Sequence, residues 1–176
     1  IALKLKNEFK LNPLLVTFNP LIPTDVGIKN REELLEKGFD SFYISANKVI
    51  SKKLSLRFFI ERANPKLHWN AGINASLYKI AINFNIPFVM YAEHGETNYG
   101  GTVLSKDSEK KRDYEEIIEN LIGDDPYNWE TTEIGISELS PYLMPSQEEL
   151  DLKNIEAHYF GYYFPWDIKD NYEYVM

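Results

Sequence analysis

Ile86-Pro87-Phe88-Val89-Met90-Tyr91 is the stretch that most directly indicates the fold. This short apolar run predicts a buried strand, and its proline stands near the start of the strand, where a missing N–H is tolerated. A helical pattern over residues 74–85 comes directly before it and closes at Asn85. A helix that leads into a buried strand is the repeating unit of an α/β fold.

The same alternation extends toward the N-terminus. The apolar run Pro13-Leu14-Leu15-Val16-Thr17-Phe18 predicts one strand, and Phe42-Tyr43-Ile44-Ser45 predicts another. Between them we expect a helix that Asn30 caps, with Glu33 completing a capping box and Gly38 ending it. Residues 47–62 predict an amphipathic helix. Strands that alternate with helices predict right-handed crossovers and a mostly parallel, doubly wound sheet.

The C-terminal third is less regular. We expect a charged helix over residues 107–122, an irregular stretch over 124–145, and a capping box at Ser146 and Glu149. Residues 155–164 predict a fourth strand, and Asp167 is expected to cap a last helix. These elements fit one α/β domain over residues 1–176.

Both ends of this domain look cut. Ile1, Leu5 and Phe9 have helical spacing, yet no N-cap residue precedes them. A helix that enters the first strand of a parallel sheet needs an earlier strand, so we expect truncation at the N-terminus. We also expect truncation at the C-terminus, where the last helix has no stop signal.

Composition limits the class of protein. The chain has 176 residues, 44% of them hydrophobic, and no apolar run long enough to cross a bilayer. It has no cysteine and no signal-peptide pattern at its start, which favours a cytoplasmic protein. Its net charge is −8 and its basic residues are scattered, so nucleic acid and membrane are not expected as partners.

Candidate site residues follow from the position of the strands. Ligands of open α/β sheets bind beyond the carboxyl ends of the strands. The first predicted strand ends at Thr17, Phe18 and Asn19, and the second at Ser45 with Asn47 nearby. The third is followed by a polar and glycine-rich group: Glu93, His94, Gly95, Glu96, Asn98, Tyr99, Gly100 and Gly101. Its glycines permit close backbone approach to a ligand, and its carboxylates suit Mg²⁺ or an amine.

Structural explanations compete with these assignments. A Gly-Gly pair after a strand is also typical of a simple turn, and His94 beside two acids is also typical of a surface histidine. His68 and Trp69, expected between helices, fit packing or capping, and His158 fits a core or cross-strand position. The histidines lack metal-ligand spacing, so we expect no zinc site built from this chain alone, and we assign no residue as a metal ligand.

Several pieces of this sequence, in this order, resemble one family. The pieces are residues 5–19, residues 86–88, Glu93-His94-Gly95-Glu96 with Tyr99-Gly100-Gly101, and residues 161–167. They are spread from residue 5 to residue 167, so that the resemblance covers nearly the whole chain, and they are similar to the N-acetyl sugar amidotransferases of bacterial surface-polysaccharide biosynthesis. That family belongs to the PP-loop ATP-pyrophosphatase superfamily. The implied fold is a doubly wound, mostly parallel sheet like that of the adenine nucleotide alpha hydrolases, with its first strand missing.

The chain departs from that family in three respects. The Ser-Gly-Gly-Lys-Asp-Ser phosphate loop, expected just before Ile1, is absent. The family's cysteines would also lie outside this segment, and Asn98 stands where many relatives have an acid. The resemblance therefore implies a fragment that is inactive by itself.

The resemblance implies an ATP- and Mg²⁺-dependent amidotransferase of lipopolysaccharide or O-antigen biosynthesis. It would convert the N-acetyl group of a nucleotide-linked sugar into an acetamidino group, with ammonia from glutaminase and cyclase-like subunits. By resemblance and position, Thr17, Phe18 and Asn19 would lie near the adenosine. The implied catalytic residues are Glu93, His94 and Glu96, and the implied substrate-binding residues are Tyr99, Gly100 and Gly101.

Two other functions remain open. A PP-loop tRNA-modifying enzyme shares the fold and the ATP chemistry, although it predicts a basic surface and often catalytic cysteines. A non-catalytic binding module would keep the fold without the phosphate loop.

Overall fold

A computed structural model describes residues 1–92, 114–164 and 167–175. Helices and strands alternate over the first of these ranges, except that two helices follow one another between the second and third strands. In chain order its elements are α1 (Ala2–Asn7), β1 (Leu15–Phe18), α2 (Asp25–Glu36), β2 (Ser41–Ile44), α3 (Lys48–Arg62), α4 (Leu67–Asn83) and β3 (Phe88–Tyr91).

Short helical segments dominate the rest of the described chain. The helix α5 (Tyr114–Glu116) continues into a π-helix over Ile117–Ile122. Two 3₁₀ helices, Pro126–Trp129 and Ser140–Tyr142, flank α6 (Ile136–Leu139). The remaining elements are α7 (Gln147–Leu152), β4 (Glu156–Tyr159), α8 (Phe160–Tyr163) and α9 (Ile168–Val175).

The described strands form two small parallel sheets. Strand β1 pairs with β2, with Leu15 opposite Ser41, and β3 pairs with β4, with Phe88 opposite Glu156. The predicted α/β class and the parallel pairing are therefore confirmed at this level. The predicted continuous sheet is not formed by the described strands, which make two separate pairs.

Helix α4 is the central element of the core. It contacts both β1 and β3, and therefore one strand of each sheet. Its buried side chains recur at helical spacing and include the polar residues His68 and Asn74. Gly72 lies against the ring of Phe18, where a Cβ atom would come within 2.4 Å of ring carbons. The missing side chain at this position lets α4 approach β1 closely.

An aromatic cluster joins α4 to α3 and to the irregular C-terminal segments. Ring centroids of Phe58 and Trp129 are 4.7 Å apart, and those of His68 and Tyr142 are 5.8 Å apart. Phe18 completes the cluster, 6.1 Å from Tyr142. Edge-to-face pairs at such distances add to the stability that area burial provides. The stretch 124–145, predicted to be irregular, thus places Trp129 and Tyr142 in the core.

Helix α1 and the residues after it contact segments that lie beside both strand pairs. Nζ of Lys6 donates hydrogen bonds to the carbonyl oxygens of Lys37 (2.7 Å) and Gly38 (2.8 Å), at the end of α2. Beyond α8, the ring of Phe164 lies 5.7 Å from that of Phe9 and 4.4 Å from Nζ of Lys4. The N-terminal helix therefore touches the chain just before β2 and just after α8.

The predicted start of α2 at Asn30 is wrong. The helix begins six positions earlier, after Thr24, whose Oγ1 accepts a hydrogen bond from N of Gly27 at 3.1 Å. Thr24 offers the same capping chemistry as Asn30 and comes first, and Asp25 adds a favourable acid to the first turn. The predicted end at Gly38 is confirmed, because Gly38 has a left-handed φ of 81°.

Two other predicted boundaries are also wrong. Helix α4 begins at Leu67 rather than at residue 74, so His68 and Trp69 lie in its first turn and not between helices. Polar residues on the buried face of this turn interrupt the apolar periodicity from which a helix is predicted. The fourth strand covers only Glu156–Tyr159, because the chain then turns into α8.

Two of the predicted helix starts agree with the structure. Ser146 and Glu149 form a reciprocal capping box at the start of α7. Oδ1 of Asp167 accepts from N of Asp170 at the start of α9. Of the predicted helix 107–122, residues 107–113 lie outside the described part. None of the described helices combines the length and the apolar character needed to cross a membrane.

Candidate functional site

The carboxyl ends of β1 and β2 carry a cluster of hydrogen-bonded polar side chains around Asn19. Nδ2 of Asn19 donates to Oγ of Ser45 at 3.0 Å, and the hydroxyl of Tyr43 donates to Oδ1 of Asn19 at 2.6 Å. The backbone N–H of Asn19 also donates to the carbonyl of Ile44 at 2.7 Å. Parallel pairing of the two strands brings these residues together, because each strand ends at the same edge.

Helix α4 contributes Trp69 to the same cluster. Its indole Nε1 donates to the carbonyl oxygen of Asn19 at 3.2 Å. Each end of the Asn19 side chain and each of its backbone polar groups thus makes a hydrogen bond, and these bonds use only one of the two N–H groups and one of the two lone pairs of the amide. Such a residue is held in one orientation, which is the condition for a fixed binding position.

A positive charge lies beside the cluster. The guanidinium of Arg31, on α2, lies 4.2 Å from the centroid of the Tyr43 ring, a cation–π distance. Tyr43 keeps 39% of its surface exposed and Ser45 is also exposed. The cluster is therefore open to solvent and offers hydroxyl, amide and guanidinium groups to a polar ligand.

The predicted residues at this edge have different surroundings. Asn19 is at the centre of the cluster, and Thr17 is partly buried within β1. Phe18 is buried, with its ring against Gly72 and Tyr142. Asn47 uses its side chain to cap α3. Whether Thr17 and Phe18 contact a ligand stays a prediction, and the observed role of Phe18 is packing.

Sequence reasoning did not select Tyr43 or Arg31. Side chains two positions apart on a strand share a face, so Tyr43 follows from the choice of Ser45. Arg31 had no such signal, because its place depends on how α2 packs beside β2. Trp69 was expected only to pack or to cap.

A second polar network lies at the carboxyl end of β3. The hydroxyl of Tyr91 donates to Oδ1 of Asn74 at 2.8 Å. Nδ2 of Asn74 donates to the carbonyl of Asn70, and Nδ2 of Asn70 to that of Leu121. A buried network that satisfies its polar groups fixes the relative position of the segments it joins.

The Asn19 cluster and the Asn74 network both contact the N-terminal half of α4. Trp69 in its first turn contacts the end of β1, and Asn74 contacts the last residue of β3. Strands β1 and β3 therefore both end near the N-terminal half of α4. The remaining predicted site residues follow β3 in the chain but lie outside the described residues: Glu93, His94, Glu96, Tyr99, Gly100 and Gly101.

Two histidines within the described residues are accounted for by packing. His68 is fully buried, and neither of its ring nitrogens has a hydrogen-bond partner there. Burial lowers the pKa of His68 to about 4. His158 is buried in β4, where its Nδ1 shares a 2.6 Å hydrogen bond with the hydroxyl of Tyr163. The expected packing roles of both residues agree with these contacts.

Metal binding and similarity to known proteins give no further assignment. No group of three or more histidine, aspartate or glutamate side chains suited to a metal ion occurs within residues 1–92, 114–164 and 167–175. No family model matches this chain, and no curated protein is significantly similar to it.

Proposed function

We propose that this protein is an ATP-dependent amidotransferase that converts the N-acetyl group of a nucleotide-linked sugar into an acetamidino group. The sequence resemblance to N-acetyl sugar amidotransferases motivates this function. The observation that carries it is the cluster of Tyr43, Asn19 and Ser45 at the carboxyl ends of two parallel strands, the position that nucleotides favour in α/β sheets. We place the reaction in the cytoplasm, in surface-glycan biosynthesis.

The proposed sheet is doubly wound and contains both strand pairs. Helix α4 contacts β1 and β3, and α1 contacts segments flanking both pairs, which supports a shared layer. In this proposal, the further strand implied by the resemblance lies between β1 and β3. The carboxyl edge would then carry the Asn19 cluster and the residues that follow β3 on one side of the sheet.

The Asn19 cluster fits the base and ribose of ATP in its chemistry. Amide and hydroxyl groups recognise neutral polar ligands through directional hydrogen bonds, and the cluster is open to solvent. Asn19 and Ser45 would hold the adenosine, and Tyr43 would keep the amide of Asn19 in its orientation. Thr17 and Phe18 would lie beneath, with Phe18 supporting the strand end from the core.

The proposed reaction has two displacement steps. The acetamido oxygen attacks the α-phosphate of ATP, so that an oxygen–phosphorus bond forms and pyrophosphate leaves. Ammonia then attacks the activated carbon, AMP leaves, and loss of a proton gives the amidine. Mg²⁺, when bound with ATP, would neutralise charge on the phosphates. Glu93, His94 and Glu96 would face the reacting centre, and Tyr99, Gly100 and Gly101 would line the sugar side.

An assay of nucleotide turnover tests this function. The protein at its natural length is incubated with ATP, Mg²⁺, ammonium and a series of UDP-N-acetyl sugars. We expect AMP and pyrophosphate only when the correct sugar is present, together with a mass change that replaces oxygen by NH. A folded protein with no turnover on any sugar would contradict the proposal and favour a binding module. Salt-sensitive binding of tRNA would instead favour a tRNA-modifying enzyme.

A further inference from the structure

Helix α3 is apolar on two opposite faces. Ile50, Leu54 and Phe58 point into the core and are 3%, 0% and 2% exposed. The solvent side carries a second apolar row, which we call the outer stripe of α3: Val49, Leu56 and Ile60. These residues are seven and four positions apart, so they lie along one face, and they are 64%, 61% and 73% exposed. A helix that is apolar on both sides is typical of one that packs on both sides.

Positive charge surrounds this outer stripe. Lys48, Lys52 and Arg62 are exposed on α3, and no carboxylate of the described residues pairs with them. The other two basic residues of α3 are paired, Lys53 with Glu133 and Arg57 with Glu61. In a chain of net charge −8, this local excess of positive charge favours a partner that is both apolar and acidic.

Helix α9 has these two properties. Ile168 and Tyr172, one turn apart, are 79% and 61% exposed, and we call them the α9 stripe. Residues 167–175 carry three acids, Asp167, Asp170 and Glu173, against one base, Lys169, which pairs with Glu173 at 3.7 Å, so the segment keeps a net charge of −2. Of the described α9 side chains, only Asn171 is even partly buried. Isolated helices of fewer than about 12 residues are marginal in water, so α9 needs a surface on which to pack.

We propose that α9 of one copy of this chain packs on the outer stripe of α3 of a second copy. Both stripes are exposed in a single copy, so neither covers the other within one chain. The outer stripe is long enough to hold α9, because at 1.5 Å per residue the stripe spans about 17 Å and α9 about 12 Å. Their charges are opposite. Each copy carries both surfaces, so a twofold dimer forms this contact twice.

Sedimentation velocity across a wide range of concentration tests the proposal on the 176-residue chain. We expect a monomer–dimer equilibrium that weakens as salt increases, because exposed charges are screened. Leu56→Glu and Ile168→Glu should each raise the dimer dissociation constant on the order of tenfold or more. Ile22→Glu changes another exposed apolar side chain, 84% exposed and outside both stripes, and should leave the constant unchanged.

Mixing the two variants identifies which surfaces meet. A heterodimer of Leu56→Glu with Ile168→Glu keeps one intact α9–α3 contact, whereas each variant alone keeps none. We therefore expect the mixture to dimerise more tightly than either variant. A chain that stays monomeric, a dimer insensitive to both changes, or a mixture without this recovery would each overturn the proposal. If Leu56→Glu alters the circular dichroism spectrum, Ile60→Gln replaces it in the same design.

Discussion

A Cβ atom added to Gly72 would lie 2.4 Å from two carbons of the Phe18 ring. Gly72 lies on α4 and Phe18 is the last residue of β1. The ring is therefore held between the helix backbone and Tyr142, and Asn19, the next residue, is placed where Trp69 can donate to its carbonyl. Close helix–strand contact in the core thus fixes the position of the polar cluster at the strand end.

Gly72→Ala should destabilise the protein despite the higher helix propensity of alanine. The propensity gain is about 1 kcal/mol, and overpacking in a filled core costs typically 1–3 kcal/mol. We expect a net loss of about 1 kcal/mol in the free energy of urea unfolding. In a protein that already carries Phe18→Leu, adding Gly72→Ala should lower the unfolding free energy by less than it does in the unchanged protein. Additive effects of the two changes would show that the ring contact is not the cause.

His68 should make stability depend on pH. The folded chain protonates His68 near pH 4, whereas the unfolded chain does so near 6.5. Between these values the unfolded state binds more protons, so the unfolding free energy falls as the pH falls from about 6.5 to 4. The full loss from this residue is about 3 kcal/mol. Urea unfolding at pH 7 and pH 4.5 measures this loss. His68→Leu should show a smaller drop in unfolding free energy between the two pH values than the unchanged protein. An equal drop in both proteins would contradict the role of His68.

Lys6→Met should weaken the contact between α1 and α2. It removes two hydrogen bonds to carbonyls at the end of α2 and a cation–π contact with Phe39 at 4.6 Å. We expect a loss of about 1 kcal/mol in unfolding free energy. Lys29→Met removes only an exposed pair with Glu33 and should cost less than about 0.5 kcal/mol. Equal effects of both substitutions would count against a capping role for Lys6.

Tyr43→Phe tests the polar cluster as the nucleotide site. It removes the hydroxyl that fixes Oδ1 of Asn19, so we expect the KM for ATP to rise about fivefold, with little change in Tm. Tyr127→Phe changes another exposed tyrosine, 55% exposed, on the 3₁₀ helix Pro126–Trp129 and with no contact to the cluster among the described residues, and should leave the KM unchanged. An unchanged KM in Tyr43→Phe, measured in the sugar-dependent assay, would remove the cluster from nucleotide binding.

Glu93→Gln tests the predicted catalytic segment. Under the proposed function, loss of this carboxylate should abolish amidine formation while the circular dichroism spectrum and Tm stay the same. Glu32→Gln, at an exposed position on α2, should keep full activity. Full activity of Glu93→Gln would show that this carboxylate has no part in the reaction.

Helix ends were the most predictable feature where the capping groups are local. Ser146, paired with Glu149, and Asp167 each accept a hydrogen bond from a backbone N–H three positions away. Residue type and spacing are enough to predict such bonds. The start of α2 was mispredicted because Thr24 and Asn30 offer the same chemistry, and sequence spacing does not rank two adequate caps.

The candidate site was predictable only in part. The strand-end rule selected Asn19 and Ser45, whose hydrogen bond joins residues 26 positions apart. It did not select Trp69, 50 positions from Asn19, or the cation–π contact of Arg31 with Tyr43. These contacts depend on how α4 and α2 pack against the strands, and periodicity along one segment does not encode that.

The sequence by itself determined the α/β class, the parallel strand pairing and the helix caps at Ser146 and Asp167, because these follow from apolar periodicity and from hydrogen bonds within a few residues. Tertiary structure alone decided that His68 is buried with no hydrogen-bond partner among the described residues, that Trp129 and Tyr142 join the core, and that the described strands form two pairs. Each of these outcomes depends on the mutual packing of distant segments. Close packing selects one arrangement from several that the same local patterns allow.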